Sequence, residues 1–298
     1  MPSNIVDSPI YVPGAGDGQP GNFTLPGSGT AVPAGLEAVL EYNGLLMNIR
    51  KNVDTYRILS IDGLADADIR DTRDVNTADD GETPYNSFYG GRTISISGTI
   101  VAYSVAKMRD MQQALRAAFA DIRNEYALQF RTGDFTKDHI IYCKKVSSIA
   151  GTEQQQNFQA TRDFQVTLRA SNPRFLSFYQ KFIDEFPPKP TLNPLQISNA
   201  ENIGTYTAQP IFRIYGPSTN ATITNDTTQE SFSIGTIPFA DYLEFDTANR
   251  TLKNSLGVNS WNLLADDSDY MGFVPGDNPI FYSGDVNRIQ IWWRDSWI

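Results

Sequence analysis

Six aspartates, Asp66, Asp68, Asp71, Asp74, Asp79 and Asp80, crowd into fifteen residues, a carboxylate density that could serve a calcium ion. In an EF-hand register from Asp66, Asp68 takes position three, but Arg70 stands at five and Asp71 where glycine must make the sharp turn. Arg70, Arg73 and Asp74 instead alternate in sign, the pattern of a solvated loop or of an ion-pair-rich contact with another subunit. Asp266, Asp267 and Asp269 fail as a metal loop in the same way.

Nucleophilic chemistry fares no better. A triad would have to use the single histidine, His139, which enters a strand in Asp138-His139-Ile140-Ile141-Tyr142, and no serine stands in a nucleophile-elbow context. The single cysteine, Cys143, sits among apolar neighbours and can form neither an intrachain disulfide nor a CxxC zinc site. Gly14, Gly16 and Gly18 alternate without a strand before or a helix after them, and no GxxxxGK[ST] exists, so nucleotide binding has no support. Paired carboxylates for glycoside hydrolysis need a cleft that sets their separation, which a sequence does not carry. No catalytic, cofactor-binding or metal-ligating residue is assigned, and no cofactor is expected. The aromatics of the second half could include a sugar-stacking platform of the kind β-sandwich lectins use, with Trp261 and Trp292 as the candidates, although most such rings fill cores.

The 298 residues carry 34 acidic and 24 basic side chains, a net charge of −10, the wrong sign for binding a phosphate backbone by counterion release. No apolar run approaches the ~20 residues that span a bilayer. The first 35 residues contain no Lys or Arg, so the charged start of a secretory signal is missing.

Residues 1–35 hold six prolines and seven glycines with hydrophobics placed singly, the composition of a tail or of an arm ordered on a neighbouring subunit through Ile10, Tyr11, Phe23 and Leu25. Strands are expected at 36–42, 45–49 (after the Asn43-Gly44 turn) and 56–61. A polar loop follows over 62–91, then a strand over 92–103 in which Ile94, Ile96 and Ile100 alternate with polar residues. Ser104 caps a helix over about 104–123, with Val105, Met108, Met111, Leu115, Ala118, Phe119 and Ile122 on one face. Further strands fall at 126–130, 140–149 and 158–169. Four prolines in 184–196 mark a semi-rigid spacer, and beyond it short apolar runs between Gly, Asn, Asp and Pro turns predict an all-β sandwich or jelly roll. The expected fold is mainly β: an arm over 1–35, an α+β barrel domain over 36–183, a linker over 184–196 and a β-sandwich over 197–298.

The order of these features resembles the distal tail protein (Dit) family of long, flexible-tailed bacteriophages. The matching pieces are Tyr42-Asn43-Gly44-Leu45, Tyr56 to Leu64, Tyr89-Gly90-Gly91-Arg92 running through Ile100 into the helix, and the closing Ser171-Asn172-Pro173-Arg174-Phe175. In the second half they are Asn202-Ile203-Gly204, Thr222 to Asn225, Asp241-Tyr242-Leu243, Pro275 to Asn278 and the ending Trp293 to Ile298. The resemblance implies a split β-barrel with one helix that assembles into a six-membered ring coaxial with the tail tube, and a galectin-like sandwich pointing outward. It implies a non-enzymatic virion protein at the phage tail tip, assembled in the host cytoplasm. Its partners would be its own copies, the tail-tube protein, the tail-tip or baseplate hub, and receptor-binding or side-fibre proteins. The alternative is a carbohydrate-binding sandwich that contacts the host surface. Candidate inter-subunit contacts are Arg70, Arg73, Asp74 and Arg92 in the 62–91 loop region, together with the arm. Six copies at −10 each would carry −60, which would repel DNA passing through the lumen if acidic residues line it. No membrane insertion is expected.

Overall fold

The computed structural model describes residues 39–48, 54–65, 67–71, 73–75, 80, 82–84, 86–131, 138–150, 161–187, 191–239 and 241–298. The chain divides into two compact units, Met1–Phe175 and Leu176–Ile298. Among the described residues one α-helix stands against many strands, a mainly β fold. No described helix is long and apolar enough to cross a membrane.

Unit 1 begins with β1 (Val39–Tyr42) and β2 (Leu45–Asn48), joined at Asn43-Gly44, where φ of +46° and +77° is the left-handed geometry a two-residue hairpin needs. After β3 (Thr55–Asp62) four short strands form two ladders, β4 (Ile69–Arg70) with β7 (Phe88–Tyr89) and β5 (Arg73–Val75) with β6 (Glu82–Pro84). The expected polar loop over 62–91 is therefore partly a strand-bearing extension of the hairpin between β3 and β8 (Arg92–Val101). The helix α1 (Val105–Ala118) follows, then β9 (Tyr126–Arg131), β10 (His139–Ala150) and β11 (Thr161–Ala170).

Pairing runs β11-β8-β3-β2-β1-β9-β10, and β10 pairs back onto β11, which closes a barrel. Every described junction is antiparallel except β2–β3, held by the single parallel pair Asn48↔Arg57. The seam lies there. Alternation decides what enters the barrel: Ile94, Ile96 and Ile100 of β8 are buried, while Thr93 faces solvent. Gly98, the missing member of that inward row, leaves room for Phe164; a Cβ there would lie 2.6 Å from the Phe164 ring and from the Arg57 carbonyl oxygen.

Ser104 caps α1 as its position predicted, its Oγ accepting from the Lys107 N–H at 3.2 Å. The helix ends at Ala118, short of 123, where the Asn43 side chain donates to the Ala118 carbonyl. Asp121 organises the following turn by accepting from the Arg123 and Asn124 N–H groups. Met108, Met111, Leu115, Ala118 and Phe119 enter the core, whereas Val105 and Ile122 stay exposed. Two tyrosines bind the helical segment to the barrel: Tyr42 stacks on Phe119 at 4.5 Å, and Tyr56 donates to the Met111 carbonyl at 2.7 Å.

Unit 2 follows β12 (Phe175–Ser177), which spans the boundary. Its strands are β13 (Lys181–Glu185), β14 (Thr191–Asn202), β15 (Ile211–Tyr215), β16 (Thr219–Asn225), β17 (Ser231–Ile234), β18 (Tyr242–Asp246), β19 (Thr251–Asn254), β20 (Gly276–Asp285), β21 (Arg288–Trp293) and β22 (Ser296–Trp297). The sheets β13-β21-β15-β18-β19 and β14-β20-β16-β17 enclose one core, with Phe212, Phe232, Phe245 and Phe273 at its centre. This is the expected sandwich.

The segment read as a linker, 184–196, is largely part of that sandwich. Asp184 and Glu185 pair with Gln290 and Ile289, and Thr191 onward pairs with β20. Pro194 falls where the β14–β20 register shifts between Thr191 and Leu195, a place where a residue without an N–H costs no ladder bond. The divide between units falls instead between Phe175 and Leu176.

Candidate interaction surfaces

At the root of the 62–91 hairpin stands Arg92. It was expected as a contact side chain, but the structure buries it at 1% exposure. Its Nε donates to the Pro173 carbonyl at 3.1 Å, and Nη1 donates to the Gly63 and Leu64 carbonyls at 3.1 and 2.7 Å. The guanidinium lies 4.8 Å over the Phe175 ring. Five fixed donors suit Arg to gathering carbonyls that no strand satisfies. Gly63, at φ +87°, fits because a Cβ would strike the Thr93 carbonyl at 1.9 Å. Arg92 is a clamp between the hairpin base and the closing segment of unit 1.

Beyond the clamp the hairpin presents Ile69, Phe88 and Tyr89, all exposed, with Arg70 also in solvent. Gly90 donates to the Asp68 carbonyl, and Asp68 meets Arg169 at 3.0 Å across a solvated surface, a pair of little energetic weight. Arg73 and Asp74 pair with Pro84 and Thr83 in the β5–β6 ladder. Asp66 and Asp79 of the acidic run, and the arm residues Ile10, Tyr11, Phe23 and Leu25, lie outside the described residues.

The outward face of the five-stranded sheet in unit 2 carries a continuous stack: Phe182, Trp292, Arg213, Tyr242, Tyr215, Arg288 and Phe186. Phe182 stacks on Trp292 at 5.2 Å; the Arg213 guanidinium sits 4.9 Å from the Trp292 ring and 4.5 Å from Tyr242. Tyr242 meets Tyr215 at 5.4 Å, and Arg288 lies between Tyr215 and Phe186 at 5.1 and 5.0 Å. Register places these groups in line, since Tyr215 opposes both Tyr242 and Arg288, and Arg213 opposes Glu244. Both cations are neutralised within the face: Arg213 bonds Glu244 through Nε and Nη2 at 3.2 and 2.5 Å, and Arg288 bonds Asp184 at 2.7 and 2.5 Å.

This geometry bears on sugar stacking. The Trp292 ring stacks on Phe182 and has the Arg213 guanidinium 4.9 Å from it, so it is already engaged within the protein. Trp261 turns its ring edge-to-face with Phe245 and Tyr270 and packs partly on the sandwich core. The structure does not bring the two tryptophans into one platform.

The Arg288 guanidinium holds the Asp184 carboxyl below the usual carboxylate range, outweighing the opposing push of partial burial. A carboxylate whose folded pKa is lowered contributes stability above its unfolded value, ~3.9, and loses that contribution as pH falls through the folded value. Asp184→Asn is therefore expected to flatten the acid limb of unit 2 unfolding below about pH 4, read by thermal melts across a pH series. Parallel curves for the two proteins would contradict the pairing.

Burial above all, and then the Glu125 carboxylate, push the Cys143 thiol well above its ordinary range, the opposite of an activated nucleophile. Among the described residues no group of three His, Cys, Asp or Glu side chains could hold a metal ion.

A barrel with one helix followed by an antiparallel sandwich is the architecture of a two-unit β protein. No protein-family model matches the chain, and no curated protein matches its sequence. Solved structures do match its fold. The chain is similar to the Dit protein of phage SPP1, described as a paradigm of the hub adsorption apparatus in phages that infect Gram-positive bacteria. The TM-score is 0.65 at 10% identity, covering 88% of this chain and 99% of that one. A chain of the phage p2 baseplate, in its activated conformation with strontium, matches with a TM-score of 0.50 at 8% identity, over 87% and 97% of the two chains. The chain has the fold of the phage distal tail hub.

Proposed function

We propose that this protein is a structural, non-enzymatic component of a phage tail tip: a hub that joins the tail tube to the tail-tip or baseplate proteins. The observation that supports it most is the end-to-end likeness to the SPP1 Dit hub, which runs through nearly the whole of that chain. A single shared domain would say little about role, because common folds host many functions. Here the likeness covers 88% of this chain and so takes in both units.

In this reading the barrel unit forms a ring of about six subunits through heterologous contacts, one surface of each copy meeting a different surface of the next. The hairpin carrying Ile69, Arg70, Phe88 and Tyr89 supplies one such surface, and Arg73, Asp74 and the N-terminal arm contribute further contacts between copies. Arg92 serves it indirectly, by holding the hairpin base. The sandwich docks receptor-binding or side-fibre proteins, and DNA passes through the lumen without specific binding. The protein then resides in the virion after assembly in the host cytoplasm. Antibody against residues 176–298, gold-labelled and applied to phage particles that carry the protein, should decorate the distal end of the tail. Labelling confined to the head, or its absence from particles that contain the protein by mass spectrometry, would overturn the reading.

A further inference from the structure

The sandwich has two poles. The chain enters at one, through Ser177, whose N–H bonds the Asp295 carbonyl near the C-terminus. At the opposite pole lie the ends of β15, β18 and β21, marked by the paired residues Tyr215, Tyr242 and Arg288. Four apolar side chains project there: Phe186 at 68% exposure, Phe239 at 82%, Leu256 at 84% and Val258 at 56%. Phe239, Leu256 and Val258 are held on short, tied loops. Gly216 donates to the Asp241 carbonyl at 2.9 Å, and the Asp241 carboxylate accepts from the Tyr242 and Ser255 N–H groups, coupling the Phe239 loop to the Leu256 turn. The Asn254 N–H bonds the Val258 carbonyl at 2.9 Å and closes that turn. Phe186 continues directly into the aromatic and arginine stack of the adjoining face through Arg288.

Large apolar side chains carried on hydrogen-bonded loops, beside a preordered field of Trp, Tyr and Arg, make the composition and rigidity of a protein-binding hot spot. Charge selects among the surfaces that could cover it. From Leu176 to the C-terminus the chain holds fourteen acidic and seven basic residues, a net charge of −7, which opposes anionic lipid headgroups and polyanionic wall polymers. The Trp292 ring already meets Phe182 and Arg213, as part of that field.

We infer that this pole, Phe186, Phe239, Leu256 and Val258 with the adjoining stack, is the docking surface of unit 2, and that its occupant is a protein with an apolar socket rimmed by Lys or Arg. The inference rests on the tail-hub reading and deepens it by naming the surface and the chemistry of the partner.

The test uses the full chain in assembled phage particles, with the photo-cross-linking amino acid p-benzoylphenylalanine in place of Phe239, and in a second protein in place of Ile203, exposed in the loop after β14 at the entry pole. Irradiation should join position 239 to one protein, at a site of apolar residues flanked by Lys or Arg, while position 203 does not yield that adduct. The double variant Phe239→Asp, Leu256→Asp should remain in the particle and lose that partner by roughly tenfold or more, the scale of removing hot-spot anchors. Particles that contain the hub but give no protein adduct at 239, or an adduct only with lipid or glycan, or that keep the partner in the double variant, overturn this inference and leave the hub reading standing. Absence of the unmodified protein from tails overturns both.

Discussion

Arg92→Met should cost unit 1 about 2 kcal/mol, the scale of leaving the buried Pro173 carbonyl and the part-buried Gly63 and Leu64 carbonyls without their donor. Methionine keeps much of the volume over Phe175 but can donate to none of Gly63, Leu64 and Pro173. The loss is directional as well as energetic, because those carbonyls come from the hairpin base and from the segment that closes the barrel unit. Calorimetry of the full chain should show the unit 1 transition moving down while that of unit 2 holds. Amide exchange should rise over 62–71 and 86–91 before it rises in β8. Arg92→Lys should recover little, since one ammonium does not reproduce a planar fork. Arg70→Ala, at an exposed position, should leave stability within about 0.5 kcal/mol. A loss under about 1 kcal/mol for Arg92→Met would contradict the clamp.

The second large effect belongs to Asn278. It is fully buried, and its Nδ2 donates to the carbonyls of Ala200, Val274 and Gly276. Its Oδ1 accepts from the Val274 N–H and from Asn225, another fully buried amide that in turn holds the Gly272 carbonyl. One side chain thus fastens the 271–276 loop to β14 and β16. Asn278→Leu, close in shape and without hydrogen-bonding atoms, should destabilise unit 2 by about 2 kcal/mol, because the buried Ala200 carbonyl and the Asn225 amide lose their partner. Asn278→Asp should also be destabilising, since a carboxylate offers no donor to three carbonyls. Unit 1 should melt unchanged, and a variant that loses less than about 1 kcal/mol would show that water or neighbouring groups replace the amide.

Much of the architecture was legible in the residues. The two-residue period of β8, the Ser104 cap with its three- and four-residue apolar steps, and the turn-bounded runs at β17, β18 and β21 each state their local structure in a few positions. What stayed hidden was decided across the chain. Strands β14 and β20 carry Pro194 and Pro279 amid Asn, Gly and Ser, which reads as a spacer or turn; only the cross-strand pairing, with its register shifts, makes them sheet. Arg92 looked like one more charge of an alternating loop because a sequence does not show three carbonyls converging on it. Trp292 looked available because its covering groups, Phe182 and Arg213, are distant in sequence and meet it only through the β13–β21–β15 register. The Dit resemblance stood on the order of modest pieces, and it was the backbone path of both units that carried it to solved hubs.

The most direct test of the tail-hub account is the absolute mass and shape of the purified full chain, by light scattering on a sizing column followed by negative-stain class averages. The account predicts a closed ring of about six copies with a central opening, in the purified protein or on tail tubes added to it. A protein that stays monomeric even with tail tubes present, and adds no ring to their ends, would contradict it.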